Sequence, residues 1–215
     1  MRRELLIFGT AGLAKESAQL ARRIDPVESR WSTISYVTNE LAERGRALPF
    51  GSIRYSDHDI LHLIELADAV IGVGYPALRR NIVERLLQYK TLDYPNLLHP
   101  ALEIDCNAVH FGKGNTVTQG VAMTCDIALG DFNLFNLNTT VGHDTRIGSF
   151  NVMNPGSNIS GGVTIGDECL IGTGASILEG LSIVSGTQIG AGAVVTKSID
   201  EPGIYIGVPA RPMKK

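Results

Sequence analysis

The sequence predicts a molecule in two parts: an α/β unit built on a small parallel sheet, then an all-β parallel β-helix. Two observations carry this. From Phe111 to Val195 every sixth residue is large and apolar, with no exception and no insertion: Phe111, Val117, Met123, Leu129, Phe135, Val141, Ile147, Met153, Ile159, Ile165, Ile171, Ile177, Ile183, Ile189 and Val195. In the first 95 residues, by contrast, short apolar runs alternate with amphipathic stretches. A period of six matches neither a helix at 3.6 nor a flat strand at 2.0. It suits short strands joined by tight corners, three to a coil and stacked one above the next.

Leu5 to Phe8 is a short apolar run that ends in Gly9-Thr10-Ala11-Gly12, and Ala14, Ala18, Leu20, Ala21 and Ile24 follow with helical spacing. This reads as strand, glycine turn, helix. A second strand is expected at Thr33 to Thr38. Ser56-Asp57 reads as the cap of a helix carrying Ile60, Leu61, Ile64 and Leu66. Ala69 to Val73 is a buried strand ending in Gly74, and Leu78, Ile82, Leu86 and Tyr89 mark one face of the next helix. Strands alternating with helices indicate a doubly wound, Rossmann-like parallel sheet. Domain boundaries are placed accordingly: residues 1–95 as the α/β domain, 96–197 as the β-helix, and 198–215 as an extended Pro/Gly-punctuated tail lying along the last coils. Within the repeat, residues two before each apolar position are mostly small (Asn115, Thr139, Thr145, Asn151, Ser157, Cys169, Ala175, Thr187, Ala193), a second and narrower inward row.

Composition narrows the function. A net charge of −3 argues against a nucleic-acid partner held by phosphate neutralisation. No window has the roughly 18 apolar residues needed to span a bilayer, so no membrane insertion is expected, and the start reads as too short for a signal peptide. Cys106, Cys125 and Cys169 share no C-x-x-C spacing, which fits thiols in a reducing, cytoplasmic setting. Because the repeat never throws out a loop, its walls alone cannot build a deep pocket. A site must use the N-terminal domain, the C-terminal tail or a second subunit.

Chemistry is expected first at His143, two places after inward Val141 and therefore at a corner, where other hexads carry Lys113, Asp131, Ser149 or Asp167. Eighteen residues on stands Gly161, followed by Gly162, so open space and backbone N–H groups are expected beside the imidazole. That is a route to a general base and an oxyanion site on a plain prism. Asp144 can orient the ring only if the corner conformation brings adjacent residues to one side. Gly9-Thr10-Ala11-Gly12 is a candidate anion site at a helix N-terminus, though it lacks the full G-x-G-x-x-G spacing. Gly72-Val73-Gly74, with Arg79 in the following helix, adds a second turn at the same sheet edge and points to a ligand crevice there. His58 and His62 are four apart but read as solvated surface residues. His99 and His110 stand at the domain junction without clustered partners, so no metal is expected.

The chain as a whole resembles the hexapeptide-repeat (left-handed β-helix) acetyltransferases, within them the sialic-acid O-acetyltransferase / nucleotide-aminosugar N-acetyltransferase family. The carriers are Gly9-Thr-Ala-Gly12-Leu-Ala-Lys15, Ile71-Gly-Val-Gly74 with Arg79, Asn96-Leu-Leu-His-Pro100, Val141-Gly-His-Asp-Thr-Arg-Ile-Gly148 and Asn154-Pro-Gly156. Gly172-Thr-Gly-Ala175, Gly190-Ala-Gly-Ala-Val-Val-Thr-Lys197 and Gly207-Val-Pro-Ala-Arg211 complete the set. The resemblance implies left-handed coils, an exception to the right-handed rule, and a homotrimer with acetyl-CoA along the prism between subunits. It implies His143 as general base with Asp144 raising its basicity. Gly161, Thr173, Ala191, Pro209, Ala210 and Arg211 would hold the coenzyme, and Gly9, Gly12, Asn39, Gly74 and Arg79 the acceptor. Members of the nucleotide-sugar type often carry His after the second glycine and two acidic residues at the end of the second strand. Here those places hold Leu13 and Thr38-Asn39.

The expected activity is acetyl transfer from acetyl-CoA to an amino or hydroxyl group of a nucleotide-linked sugar in surface-glycan biosynthesis, without metal. The alternative is a non-catalytic sugar-nucleotide-binding regulator or partner in sialic-acid-type sugar biosynthesis.

Overall fold

The computed structural model describes residues 2–62, 66–105 and 107–213; Ile64 and Cys106 lie outside them. The chain forms two compact units, residues 1–74 with 78–100 and residues 75–77 with 101–215.

The first unit contains β1 (Arg3–Phe8), α1 (Gly12–Glu28), β2 (Trp31–Thr38), β3 (Ala47–Leu48), β4 (Gly51–Ser56), β5 (Ala67–Ile71), most of α2 (Pro76–Leu86) and β6 (Leu92–Asp93). Its mixed six-stranded sheet runs β3-β4-β2-β1-β5-β6, all parallel except the β3–β4 hairpin. β1 is central and Leu5 to Phe8 are buried on both faces, which is why that run is continuously apolar rather than alternating. On one face α1 packs through fully buried Ala14, Ala18 and Ala21 against Leu5, Ile7, Val70 and Tyr36. The approach is close enough to dictate glycines. A Cβ at Gly72 would stand 2.8 Å from Ala14 Cα, and one at Gly9, whose φ is +126°, 2.9 Å from the Gly72 carbonyl oxygen.

Two local expectations need correction. The helix expected after Ser56 is a single 3-10 turn, Asp59–His62. Asp59 turns back and its Oδ2 accepts from the Ser56 N–H (2.7 Å) and hydroxyl (2.8 Å), closing the turn, while Leu66 is exposed. In α2 the buried face is Arg79, Ile82, Val83 and Leu86, and Leu78 is 47 % exposed. The face is rotated because Arg79 points inward.

The second unit is a three-faced parallel β-helix. Each short strand from Val109–Phe111 to Ser176–Ile177 pairs in parallel with the strand 18 residues on. Met123, Val141, Ile159, Ile177 and Val195 stack on one face. Leu129, Ile147, Ile165 and Ile183 stack on the second, and Val117, Phe135, Met153, Ile171 and Ile189 on the third. All of the sixth-residue positions are buried except Phe111, which is half-buried. The narrower row is inward too. Asn115, Asn133 and Asn151 form a ladder in which each Oδ1 accepts the N–H of the residue one coil on, ending at Cys169 (2.9, 2.8 and 2.7 Å). Asn133 Nδ2 also donates to the Gly148 carbonyl at 2.9 Å.

After the last coil Ile204–Ile206 pairs in parallel with Gln188–Ile189, and Arg211–Pro212 folds back antiparallel on it. The segment expected to lie along the coils therefore adds a strand to the stack. No helix among the described residues is long and apolar enough to cross a membrane.

Asn133 is the test of the ladder. Asn133→Ala strips a partner from the buried Asn151 N–H and the Gly148 carbonyl at once, and denaturant unfolding should show a loss of roughly 2–4 kcal/mol. Unchanged stability would show that the ladder is ornamental.

Candidate active site

The corners of the prism share one conformation. Each turn places one residue in the left-handed region, among them Gly114, Phe132, Asn138, Asp144, Gly156, Gly162 and Gly174. What differs is the fate of the N–H group just before it. At one corner these groups are capped by side chains from the next coil: Lys113 N–H by Asp131 Oδ1 (2.8 Å), Asp131 by Ser149 Oγ (3.0 Å), Ser149 by Asp167 Oδ1 (2.6 Å) and Asp167 by Ser185 Oγ (2.8 Å). Phe132 and Phe150 stack there at 5.4 Å and close it further. The N–H groups of His143 and Gly161 at a second corner, and of Thr173 and Ala191 at a third, have no acceptor among the described residues.

His143 stands at the second corner with its side chain 64 % exposed. Its Nδ1 lies 2.6 Å from Asp144 Oδ2. A φ of +58° at Asp144 makes this possible, since the left-handed turn brings neighbouring side chains to one side, and Asp tolerates that conformation better than most residues. The hydrogen bond from His143 is the main cause that holds the Asp144 carboxyl below its ordinary pKa, with Asp126 and Arg146 also close enough to act on it. An ionised carboxylate only accepts, so Nδ1 carries a proton and, in the neutral ring, Nε2 presents the lone pair.

The space expected beside Gly161 is filled by the imidazole itself. A Cβ at Gly161 would lie 2.6 Å from His143 Nε2 and 2.7 Å from Cε1. The ring therefore lies over the Gly161 backbone. Gly162 N–H is consumed by the His143 carbonyl (2.7 Å), which leaves the Gly161 N–H as the donor next to the ring.

The residues expected to hold a coenzyme fall in two groups. Gly161 shares the His143 corner. Thr173 and Ala191 occupy another corner, and Pro209, Ala210 and Arg211 run beside it, with Ala210 N–H donating to the Val194 carbonyl at 2.7 Å. Pro209 follows a cis peptide bond, and Pro209 and Arg211 are exposed.

In the first unit a crevice of about 260 Å³ opens at the carboxyl ends of β1 and β2, with Phe8, Val37, Val73 and Ile82 as its apolar part and Gly9, Thr10, Thr38, Asn39, Asp57 and Arg85 as its polar part. Gly9 and Asn39 line it; Gly12, Gly74 and Arg79 do not. Gly12 opens α1, and a Cβ there meets nothing within 4 Å. A Cβ at Gly74 would make only an ordinary contact with Leu13. Arg79 is fully buried, donating Nη1 to the carbonyls of Ile71 (3.0 Å) and Val73 (2.7 Å), with its pKa lowered to about 10 by burial. It braces the end of β5. His99, also buried, has its pKa lowered by burial and then by Arg23, whose Nη1 lies 3.0 Å from its Nε2. Among the described residues no group of three or more His, Cys, Asp or Glu is placed to hold a metal ion.

Sequence reading missed Glu43, whose Oε2 accepts from Thr38 Oγ1 (3.1 Å) and Thr10 Oγ1 (3.5 Å) at the crevice. It also missed Asp126 and Arg146 beside the His143–Asp144 pair. For Asp126 a signal existed, since it stands 18 residues before Asp144.

This repeat-built prism behind an α/β unit recurs in solved structures. The chain is similar to a histidine-to-asparagine variant of perosamine N-acetyltransferase from Caulobacter crescentus, solved in complex with CoA and GDP-perosamine, at 26% identity over 99% of this chain and 97% of that one, TM-score 0.87. It is similar to the acetyltransferase domain of PglB from Neisseria gonorrhoeae in complex with acetyl coenzyme A, at 27% identity over 99% and 100%, TM-score 0.90. WeeI from Acinetobacter baumannii matches at 26% identity over 98% and 100%, TM-score 0.85. No protein-family profile matches the chain, and no curated protein matches it in sequence. Fold, repeat and neighbours define an acyltransferase of the β-helix class. Within that class the chain is similar to hexapeptide-repeat acetyltransferases of the nucleotide-sugar N-acetyltransferase type.

Gly161→Ala should leave the prism intact, because the residue has an ordinary φ, yet its methyl must expel the imidazole. The expected result is a changed nitrogen chemical shift and tautomer signature for His143, with a thermal midpoint within about 4 °C of the parent. An unchanged imidazole spectrum would mean that Gly161 does not seat the ring.

Proposed function

We propose that the chain transfers the acetyl group of acetyl-CoA to an amino or hydroxyl group of a nucleotide-linked sugar in surface-glycan biosynthesis, with His143 as the general base. The observation that carries this is the His143–Asp144 pair seated over Gly161, an oriented imidazole with a free Nε2 beside an uncapped N–H. The acceptor nitrogen or oxygen attacks the thioester carbonyl while its proton passes to Nε2. Asp144 stabilises the imidazolium, the Gly161 N–H faces the developing oxyanion, and collapse breaks the C–S bond with the proton returned to the departing sulfur. Histidine suits the task because its ordinary pKa lies near ~6.5.

In the same reading acetyl-CoA, the co-substrate, lies along the prism through backbone contacts with Gly161, Thr173, Ala191, Pro209, Ala210 and Arg211. What supports this is that the uncapped N–H groups occur at those corners, while the remaining corner is closed by Asp and Ser caps. Gly161 and the Thr173–Ala191 pair lie on different corners of one chain. A homotrimer resolves this, because the groove between two copies sets one corner of each against the other. Residues 1–95 act as a Rossmann-like acceptor-binding domain, with Gly9 and Asn39 lining the crevice, Gly12 and Gly74 in the turns beside it and Arg79 bracing them. The coils are left-handed and the protein works in the cytoplasm.

His143→Ala should lower kcat by roughly 10²–10⁴ with little change in thermal midpoint. The assay is CoA release from acetyl-CoA with a panel of nucleotide-linked amino sugars and their hydroxyl counterparts. Turnover equal to the parent's would remove His143 as base, and no CoA release by the parent with any of the panel would favour the non-catalytic alternative.

A further inference from the structure

We propose that Asp126 and Arg146 are a positioning pair that keeps the Asp144 carboxylate committed to His143; this rests on the reading of His143 as base. Asp126 occupies the Asp144 position one coil earlier, and both residues are left-handed, with φ of +51° and +58°. The register therefore sets the two residues one above the other, close enough for Asp126 to act on the Asp144 carboxyl. Arg146 answers Asp126. Its Nη2 donates to Asp126 Oδ1 at 2.7 Å, and its Nη1 to the Asp126 carbonyl oxygen and to the Thr145 carbonyl at 3.2 Å. The planar fork is thus held on Asp126.

The charges explain why this arrangement matters. Two neighbouring carboxylates repel, and one of them would take up a proton without a cation close by. Arg146 supplies that cation, but were it to pair with Asp144 it would compete with the imidazole for the same oxygens. By fastening Arg146, Asp126 leaves the Asp144 oxygen hydrogen-bonded to His143 and keeps the guanidinium acting on Asp144 through its charge alone. The charged or titratable groups set against Asp144 are His143, Asp126 and Arg146, and Cys125 stands at the His143 position of the coil before. The coil after presents only Gly161 and Gly162.

The test is the acid limb of the kcat/KM pH profile at low ionic strength, where screening is weak. Asp126→Asn removes a negative charge and frees Arg146 towards Asp144, so the limb should move to lower pH. Arg146→Gln removes a positive charge and should move it to higher pH. Because the groups are half-exposed, each shift should be about half a pH unit and should shrink in high salt. The double variant should return close to the parent. A merely structural role would move kcat or stability but not displace the limb in opposite senses. Both limbs unmoved, or moved the same way, in variants that melt like the parent would overturn the positioning role. A fully active His143→Ala would instead overturn the base assignment on which it rests.

Discussion

The prism depends on one constraint, a pairing register of 18 residues that no insertion breaks. Parallel pairing at that offset sets each residue over its counterpart, so whatever one coil places at a position, the next must accept. Inside, this gives columns of Ile, Val, Met and Phe, and a ladder of asparagines that satisfies backbone groups no water can reach. Outside, it makes each corner a column of like backbone geometry. The side chains then decide whether a corner is sealed or open. Asp131, Ser149, Asp167 and Ser185 seal one, and the corners of His143–Gly161 and Thr173–Ala191 keep N–H groups that no described residue caps.

Chemistry on such a scaffold needs few departures from regularity. One histidine meets a glycine in the following coil, and the ring takes the room the missing side chain leaves. The left-handed turn that every corner requires also swings Asp144 onto the imidazole. Orientation is therefore built into the covalent geometry of the turn, which favours a fixed tautomer in a site open to water. The electrostatics are local too. Asp126, Arg146 and Asp144 form a surface cluster beside the imidazole, where solvent screening keeps each pairwise effect modest.

The six-residue period was fully legible, because burial of one large side chain per strand is a local demand repeated in every hexad. So was the narrower inward row, and His143 stood out against it. The His143–Asp144 contact was legible only as a condition, since alternation forbids it and a positive φ permits it. Arg79 was not legible as a brace: an arginine after a glycine turn has the same spacing whether it faces a ligand or the carbonyls of Ile71 and Val73. The turn at Asp59–His62 replaced a helix because Asp59 accepts from Ser56, a competition between side chain and backbone that an apolar pattern does not register. The sealed corner was present in the sequence at a spacing of 18, but its meaning needs the coils to be stacked.

The central claim is that acetyl transfer takes place at the open corner of His143 and Gly161. A crystal structure of the parent protein with CoA and a nucleotide-linked amino sugar tests it most directly. The CoA sulfur should lie beside the Gly161 N–H and the acceptor nitrogen within hydrogen-bond reach of His143 Nε2. A coenzyme with its sulfur at the sealed corner of Asp131 and Asp167, or an acceptor group held away from His143, would contradict it.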